Sequence, residues 1–263
     1  MIDFKQGDFY QEYPMLKKES FDLILTDPPY GALKDLHQWD KAPEWDRLEE
    51  MFYSLLAPYG QVILFAYIHN LAHIKSVLGK RLTFRTYHIW RKPGGMPVSD
   101  RAPIVDVEFI LVFRRKEDRV SDLAFNPNPL GEVGIPYVRR GNQERPIGTR
   151  LRRGGPSINV DGIRWPRVVI DAPSKPNMPK QERTAHPTQK PLSLVRKLLC
   201  GYSKPGAHIL DPFAGSGTTL VASHLENRSA TGFEIYPKYF QEASERLDQV
   251  TSQTMLFRGE ENS

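Results

Sequence analysis

Cysteine is almost missing from this chain. Cys200 is the only one in 263 residues, which excludes an intrachain disulfide and leaves no cysteine-based metal site to consider. An intracellular, cytoplasmic setting is the expectation. Also missing is any stretch approaching the roughly 20 apolar residues needed to cross a bilayer, so no membrane partner is expected. The opening run Met1-Ile2-Asp3-Phe4-Lys5-Gln6-Gly7-Asp8 has no apolar signal core, and no internal repeat is visible. Acid is in slight deficit. With 31 Asp and Glu against 36 Lys and Arg, the formal charge is +5, compatible with a polyanionic partner but not demanding one. The length suits one sizeable α/β core with an inserted module and is short for two independent domains.

What is present is an alternation of strands and helices. Phe21–Thr26 reads as a buried strand ending at Asp27. Asp46–Ala57 reads as an amphipathic helix with Leu48, Met51, Phe52, Leu55 and Leu56 on one face, stopped by Pro58 and Gly60. Gln61–Phe65 is the next strand. A helix marked by Leu71, Ile74 and Leu78 ends at Gly79, and 85–90 and 107–113 are two further strands. After position 180 the pattern resumes. A helix through Leu192, Val195, Leu198 and Leu199 is expected, capped by Thr188 and closed by Gly201. A strand then runs into Asp211, followed by a helix over 218–226, a strand over 230–233 and a helix from Pro237 to about Val250, with a frayed end. Such alternation implies a mostly parallel sheet with helices on both faces.

Between about Lys116 and Lys180 no periodicity persists. Proline, glycine, asparagine and arginine dominate, and Arg139, Arg140, Arg145, Arg150, Arg152, Arg153, Arg164 and Arg167 face few acids. A solvated surface loop is one reading. The other is a surface for phosphates and base edges, because long irregular segments inside compact domains are usually functional or disordered. Residues 1–116 and 181–263 are therefore expected to form one sheet domain and 117–180 an insert.

Two short motifs carry chemistry. Asp211-Pro212-Phe213-Ala214-Gly215-Ser216-Gly217-Thr218-Thr219 joins a strand to a helix. Its glycines allow a tight turn and close approach of a ligand, and the helix start offers free N–H groups. By itself this is equally a plain strand–helix connection. It lacks the three spaced glycines of the dinucleotide fingerprint and the lysine of a Walker loop. About twenty residues on, the next strand ends at Glu234, placed either to hold ribose hydroxyls or to flank the helix that follows. Together the turn and the acid favour a nucleoside-bearing cofactor.

The second motif is Asp27-Pro28-Pro29-Tyr30 at a strand tip. It suits methylation of an exocyclic amine, whose lone pair is delocalised into the base. A carboxylate accepting one N–H and a backbone carbonyl accepting the other localise that pair on nitrogen. Asp27 supplies the first acceptor. The Pro28 carbonyl supplies the second, its direction fixed by the Pro28-Pro29 unit. Tyr30 offers a ring for an extruded base, a stack worth about 1–3 kcal/mol.

Asp27-Pro28-Pro29-Tyr30 comes first along the chain, then the irregular insert, then His186-Pro187-Thr188-Gln189-Lys190-Pro191 and the glycine turn, and these three motifs in that order resemble the β class of amino-directed DNA methyltransferases (DNA methylase N-4/N-6). The resemblance implies a circularly permuted Rossmann-like methyltransferase fold with a seven-stranded sheet. It implies S-adenosylmethionine as cofactor, double-stranded DNA as partner and insert 117–180 as the target-recognition region. It also implies roles by position. Asp27, Pro28, Pro29 and Tyr30 are catalytic. Asp211, Phe213, Gly215, Ser216, Gly217 and Thr218 lie at the methionine end of the cofactor, Glu234 at its ribose and Asp8 at its adenine. Lys190 belongs to the segment closing over the amino-acid end. Arg139, Arg140, Arg150, Arg152 and Arg153 would bind DNA. From its polarity and position, the loop after Tyr30, through Trp39 and Asp40, is expected to move when DNA binds. Asp rather than Ser at position 27 favours adenine N6 as target. An N4-cytosine enzyme and an inactive DNA-binding relative stay open, and a homodimer is the assembly to test.

Other residues attract no role. Cys200 reads as core. His69, His73 and Asp46 lack a credible metal spacing. Trp90-Arg91-Lys92 reads equally as a phosphate contact or a solvated strand end, and neither Asp106 nor Glu108 is assigned chemistry.

Overall fold

The computed structural model describes residues 1–31, 42–94, 100–101, 103–132, 136–139, 157–159 and 162–260. Its strands are β1 (Ile2–Gln6), β2 (Phe21–Thr26), β3 (Leu56–Ala66), β4 (Leu82–Arg91), β5 (Val107–Arg115), β6 (Tyr137–Arg139), β7 (Ser157–Asn159), β8 (Val169–Asp171), β9 (His208–Asp211) and β10 (Ser229–Glu234). Its helices are α1 (Phe9–Glu12), α2 (Trp45–Leu55), α3 (Leu71–Leu78), α4 (Leu192–Tyr202), α5 (Thr218–Leu225) and α6 (Pro237–Glu260).

The main sheet runs β1-β10-β9-β2-β3-β5-β4-β8. Neighbours from β1 through β3 are parallel, β5 is antiparallel to both β3 and β4, and β8 is parallel to β4. The sheet therefore has eight strands where the resemblance implies seven. The eighth, β8, comes from within 117–180, the segment read as an insert. Three residues were too few to show a period, but pairing with Ile89, Trp90 and Arg91 extends them and buries Ile170. The same segment contains the small antiparallel pair β6–β7.

Alternating strand residues feed two cores. Leu23, Leu25, Ile63, Phe65, Ile110 and Val112 face one side, packed with α4 and α5 residues such as Leu194, Leu198 and Leu220. Ile24, Val62, Leu64, Leu111 and Phe113 face the other, with Leu48, Phe52 and Leu55 of α2 and Ile74 of α3. This period of two within nearly continuous apolar runs is what a sheet covered on both faces requires.

Several local expectations need correction. Helix α2 stops at Leu55, and strand β3 begins at once, at Leu56. Pro58 is tolerated there because the register jumps from Phe21↔Leu56 to Leu23↔Gln61, and Tyr59 takes a positive φ of 63° in the bulge. Thr188 does not cap α4. The N-cap is Pro191 without a side-chain bond, and the free Leu192 N–H donates 2.7 Å to Glu182 Oε1 instead. Helix α6 continues past Val250 to Glu260. Gly201 does not close α4 but lies inside it, because a Cβ there would stand 2.6 Å from Leu130 Cδ1 and 2.8 Å from its Cγ. The glycine is a packing requirement between the helix and the turn Asn128–Leu130. We therefore predict that Gly201→Ala destabilises the protein by about 1–3 kcal/mol in urea titration, overpacking outweighing the ~1 kcal/mol of helix propensity alanine brings. A more stable variant would contradict this packing.

Candidate active site

Sheet direction explains how the site assembles. The carboxyl ends of β1, β2, β3, β9, β10 and β4 all point to one rim, and the amino end of antiparallel β5 meets them there. The chain leaves β2 for β3 on one side and β9 for β10 on the other, so the order reverses between β2 and β9. Such a switch point opens a crevice outside the strand ends. A cleft of about 1040 Å³ lies there, lined by Asp8, Asp27, Pro28, Pro29, Tyr30, Lys190, Asp211, Phe213, Gly215, Ser216, Thr218 and Glu234 among others. That volume sits at the upper end for small-molecule sites, room for more than one ligand. One member of the expected set, Gly217, does not line it. At φ 70° a Cβ there would lie 3.1 Å from Ala243 Cβ, so this glycine serves the turn and the packing of α6.

The glycine turn is held from several sides. Thr26 Oγ1 donates 2.7 Å to Asp211 Oδ1, joining the ends of β2 and β9 across 185 residues. Glu234 Oε2 accepts from Gly215 N at 2.9 Å and its Oε1 from Tyr236 N at 2.8 Å. Arg246 of α6 donates 3.0 Å to the Ser216 carbonyl. Gly215 has φ 52°, and a Cβ there would stand 3.0 Å from His186 Nε2, which draws the His186–Pro191 segment against the turn. Thr218 Oγ1 reaches the Lys190 carbonyl at 3.2 Å. Asp8 caps α1, accepting from Tyr10 N at 2.9 Å.

On the other side of the cleft, Tyr30 Oη donates to Asp27 Oδ1 and Lys190 Nζ to Asp27 Oδ2. Asn70 Nδ2 donates 3.3 Å to the Tyr30 carbonyl and fixes the end of the tetrapeptide. Burial pushes the Asp27 carboxyl above its usual range, Lys190 only partly offsetting it. Burial works against the Lys190 ammonium too, yet Asp27 and Glu108 raise its pKa, so it stays charged. The structure thus turns the Lys190 head to Asp27, beside Glu108 Oε2 at 3.4 Å.

Glu108, Lys92, Trp90, Phe65, Tyr67 and His69 also line the cleft; from the sequence, Trp90 and Lys92 were open between a phosphate contact and a solvated strand end, and the other four had no role. Glu108 opens β5 and pairs with Lys92 at 2.8 Å. An acid beside the apolar run 109–113 was the available signal. Reading it required knowing that β5 runs antiparallel, which puts its first residues on the catalytic rim. Arg140, Arg150, Arg152, Arg153, Trp39 and Asp40 lie outside the described residues, and of Arg139 only its backbone place in β6 is described.

The acids have a measurable cost. Burial pushes Asp211 up from 3.8 to about 6, against hydrogen bonds from Thr219, Thr26 and the Phe213 amide. The folded chain therefore holds this proton more tightly than the unfolded one. Its contribution to stability is full below about pH 4 and lost once pH passes about 6, a loss of up to ~3 kcal/mol. Asp211→Asn keeps an acceptor and removes the charge. In ligand-free protein we expect its Tm to exceed that of the parent by several degrees at pH 7.5, the gap closing by pH 4. A gap independent of pH would show that Asp211 is not the origin.

Residues 21–245 match the DNA methylase family N6_N4_Mtase. The chain is 32% identical over 248 residues to the type II methyltransferase M.HpaI of Haemophilus parainfluenzae, spanning 89% of this chain and 70% of that protein. It is 28% identical over 255 residues to the DNA adenine methyltransferase YhdJ of Escherichia coli (strain K12), spanning 92% and 81%. Among solved structures, the M1.HpyAVI–SAM complex superposes with a TM-score of 0.63 at 24% identity, covering 94% of this chain and 100% of that one, and shares the fold.

Proposed function

Because this chain belongs to the DNA methylase family, it is a DNA methyltransferase, and we propose that it methylates the exocyclic N6 of an adenine flipped out of duplex DNA, using S-adenosylmethionine. The observation that carries the reading is the meeting of Asp27 and the glycine turn in one cleft, joined through Thr26 and Asp211. Asp27 rather than Ser at the tetrapeptide's head favours adenine, as does the likeness to a DNA adenine methyltransferase.

S-adenosylmethionine, when bound, supplies a methyl group on a positively charged sulfur. The residues present fit it. The turn at Gly215 has no room for a side chain, and the cleft is rich in buried acid that a cation relieves. Asp211, Phe213, Gly215, Ser216 and Thr218 would hold its amino-acid end, Glu234 its ribose hydroxyls and Asp8 its adenine. Glu234 accepts from the backbone N–H groups of Gly215 and Tyr236, one on each oxygen, with that of Ile235 beside them, and a carboxylate's four lone-pair sites still leave one for a hydroxyl.

The target atom is inaccessible within a duplex, so the base must leave the stack. Tyr30 presents one ring to it, and Tyr67, 6.2 Å away centre to centre, another. As Tyr30 turns to stack, its hydroxyl releases Asp27 Oδ1, which then accepts one N–H of the amine, while the Pro28 carbonyl accepts the other. The lone pair is thereby aimed at the donor, and alignment supplies most of the rate enhancement. Asp27, its carboxyl already pushed up by burial, is placed to receive the proton the methylated amine sheds.

Segment 117–180 serves as the target-recognition region of the catalytic domain formed by 1–116 and 181–263. Arg139, Arg140, Arg150, Arg152 and Arg153 meet phosphates and base edges there, so affinity should fall steeply with salt. Among the described residues no helix is long and apolar enough to cross a membrane, and a DNA substrate favours action in the cytoplasm. Light scattering of the free and DNA-bound protein reads whether it works as a homodimer.

Incubation with tritiated S-adenosylmethionine and duplex DNA should label the DNA, and hydrolysis should release N6-methyladenine. Release of N4-methylcytosine would reassign the target, and cofactor binding without transfer would leave a DNA-binding relative. Asp27→Ala should lower transfer at least about 100-fold while calorimetric cofactor affinity stays within about threefold. Unchanged turnover would remove Asp27 from the mechanism.

A further inference from the structure

One buried cation in the cleft has no part in the chemistry above. Lys190 is 7% exposed. Its ammonium touches Asp27 and lies 3.4 Å from Glu108 Oε2, while Glu108 Oε1 takes Lys92 at 2.8 Å. Two acids and two lysines thus form a neutral cluster. The rings of Phe65, Tyr30 and Trp90 stand 5.0, 5.9 and 5.9 Å from Nζ and hold the ammonium in place. Desolvating four charges is expensive, and apolar side chains of similar size would often serve stability as well. A role beyond packing is the more economical account.

We infer that Lys190 reads the ring nitrogen beside the reacting amine, donating to adenine N1 while Asp27 accepts from N6–H. The inference rests on the adenine-N6 reading and adds to it the group that recognises the base. A carboxylate oxygen and an ammonium in contact present an acceptor and a donor side by side. Thymine offers adenine the same order through O4 and N3–H, and flipped bases are read on that edge. An ammonium carries three donors and no acceptor; one goes to Asp27, while Glu108 Oε2 at 3.4 Å is an ion-pair partner without a hydrogen bond. Because both carboxylates hold its proton firmly, Lys190 donates a hydrogen bond without passing the proton to the ring, which would deactivate the amine.

A selectivity follows. Adenine and cytosine both carry an amine next to a ring nitrogen with a free lone pair. Guanine carries N–H at the corresponding ring position, and that hydrogen would face the ammonium. Lys190 therefore admits the amine-beside-lone-pair edge and rejects guanine, leaving the choice between adenine and cytosine to other groups.

The test uses the full chain and a duplex containing its mapped site, with adenine or 1-deazaadenine at the target. The analogue keeps the amine and replaces N1 by C–H. For the parent enzyme kcat/KM should fall about 10- to 100-fold on the analogue, the worth of a hydrogen bond to a charged group. Lys190→Met should be slow on adenine and treat the two duplexes alike within about threefold. Lys190→Gln, which retains a donor, should recover part of the discrimination. Any change the analogue makes to amine reactivity or base pairing is common to all three proteins, so the comparison between proteins carries the result. Equilibrium binding of the two duplexes, read by fluorescence anisotropy, gives the same comparison where turnover is too slow. If Lys190 only holds Asp27 in place, parent and variants will discriminate equally, and that result overturns the inference. So does a parent enzyme indifferent to the analogue. A parent that labels adenine in no duplex overturns the adenine reading itself, and this inference with it.

Discussion

Two strands from opposite ends of the chain lie side by side, and the site exists because they do. β2 and β9 pair through Leu23↔Ile209 and Ile24↔Leu210, and at the last residue of each strand Thr26 donates to Asp211. The residues that follow are Asp27-Pro28 in one case and the glycine turn in the other. A backbone ladder spaces neighbouring strands about 4.8 Å apart, so the tetrapeptide proposed to grip the base and the turn proposed to hold the cofactor meet at the distance of a hydrogen-bonded pair. Helices on opposite faces of the sheet then lead away from the two strands and leave the crevice open between them.

That proximity has an electrostatic consequence. Asp27, Asp211, Glu234 and Glu108 are gathered around one partly dry space, and burial pushes the first three above their ordinary range, with mutual repulsion adding to it. Glu108 escapes the trend: burial works to raise it, but Lys190 and Lys92 together hold it low. The arrangement is costly to the empty protein and favourable to a cationic ligand. It follows the general trade between stability and a preorganised polar site.

The two halves of the sheet were unequally legible. Phe21–Thr26 and the strand into Asp211 stand out because their apolar runs end abruptly, one in an acid followed by two prolines and the other in a glycine-rich turn. Glu108, Lys92 and Trp90 looked like ordinary strand ends. Their importance depends on β5 running antiparallel between β3 and β4, and strand direction leaves no mark in a period of two. β8 was hidden for a related reason: its three residues become a strand only against Ile89–Arg91, tertiary pairing prevailing over weak local preference. Gly201 shows the same limit. A glycine near a helix end reads as a terminator, and only the position of Leu130 reveals it as a contact.

Local chemistry alone makes Asp27-Pro28-Pro29-Tyr30 suited to gripping an amine and Asp211–Thr219 a tight turn open to a ligand, because acceptors, rigid prolines and positive-φ glycines act within a few bonds of one another. Their order along the chain, with the His186–Pro191 segment, carries the resemblance that implied the permuted fold. The pairing of Lys190 with Asp27 spans 163 residues, and its meeting with Glu108 brings in a third distant segment. No spacing encodes these contacts. They arise when the sheet stacks its strand ends on one rim and burial leaves a charge no partner but the nearest opposite one.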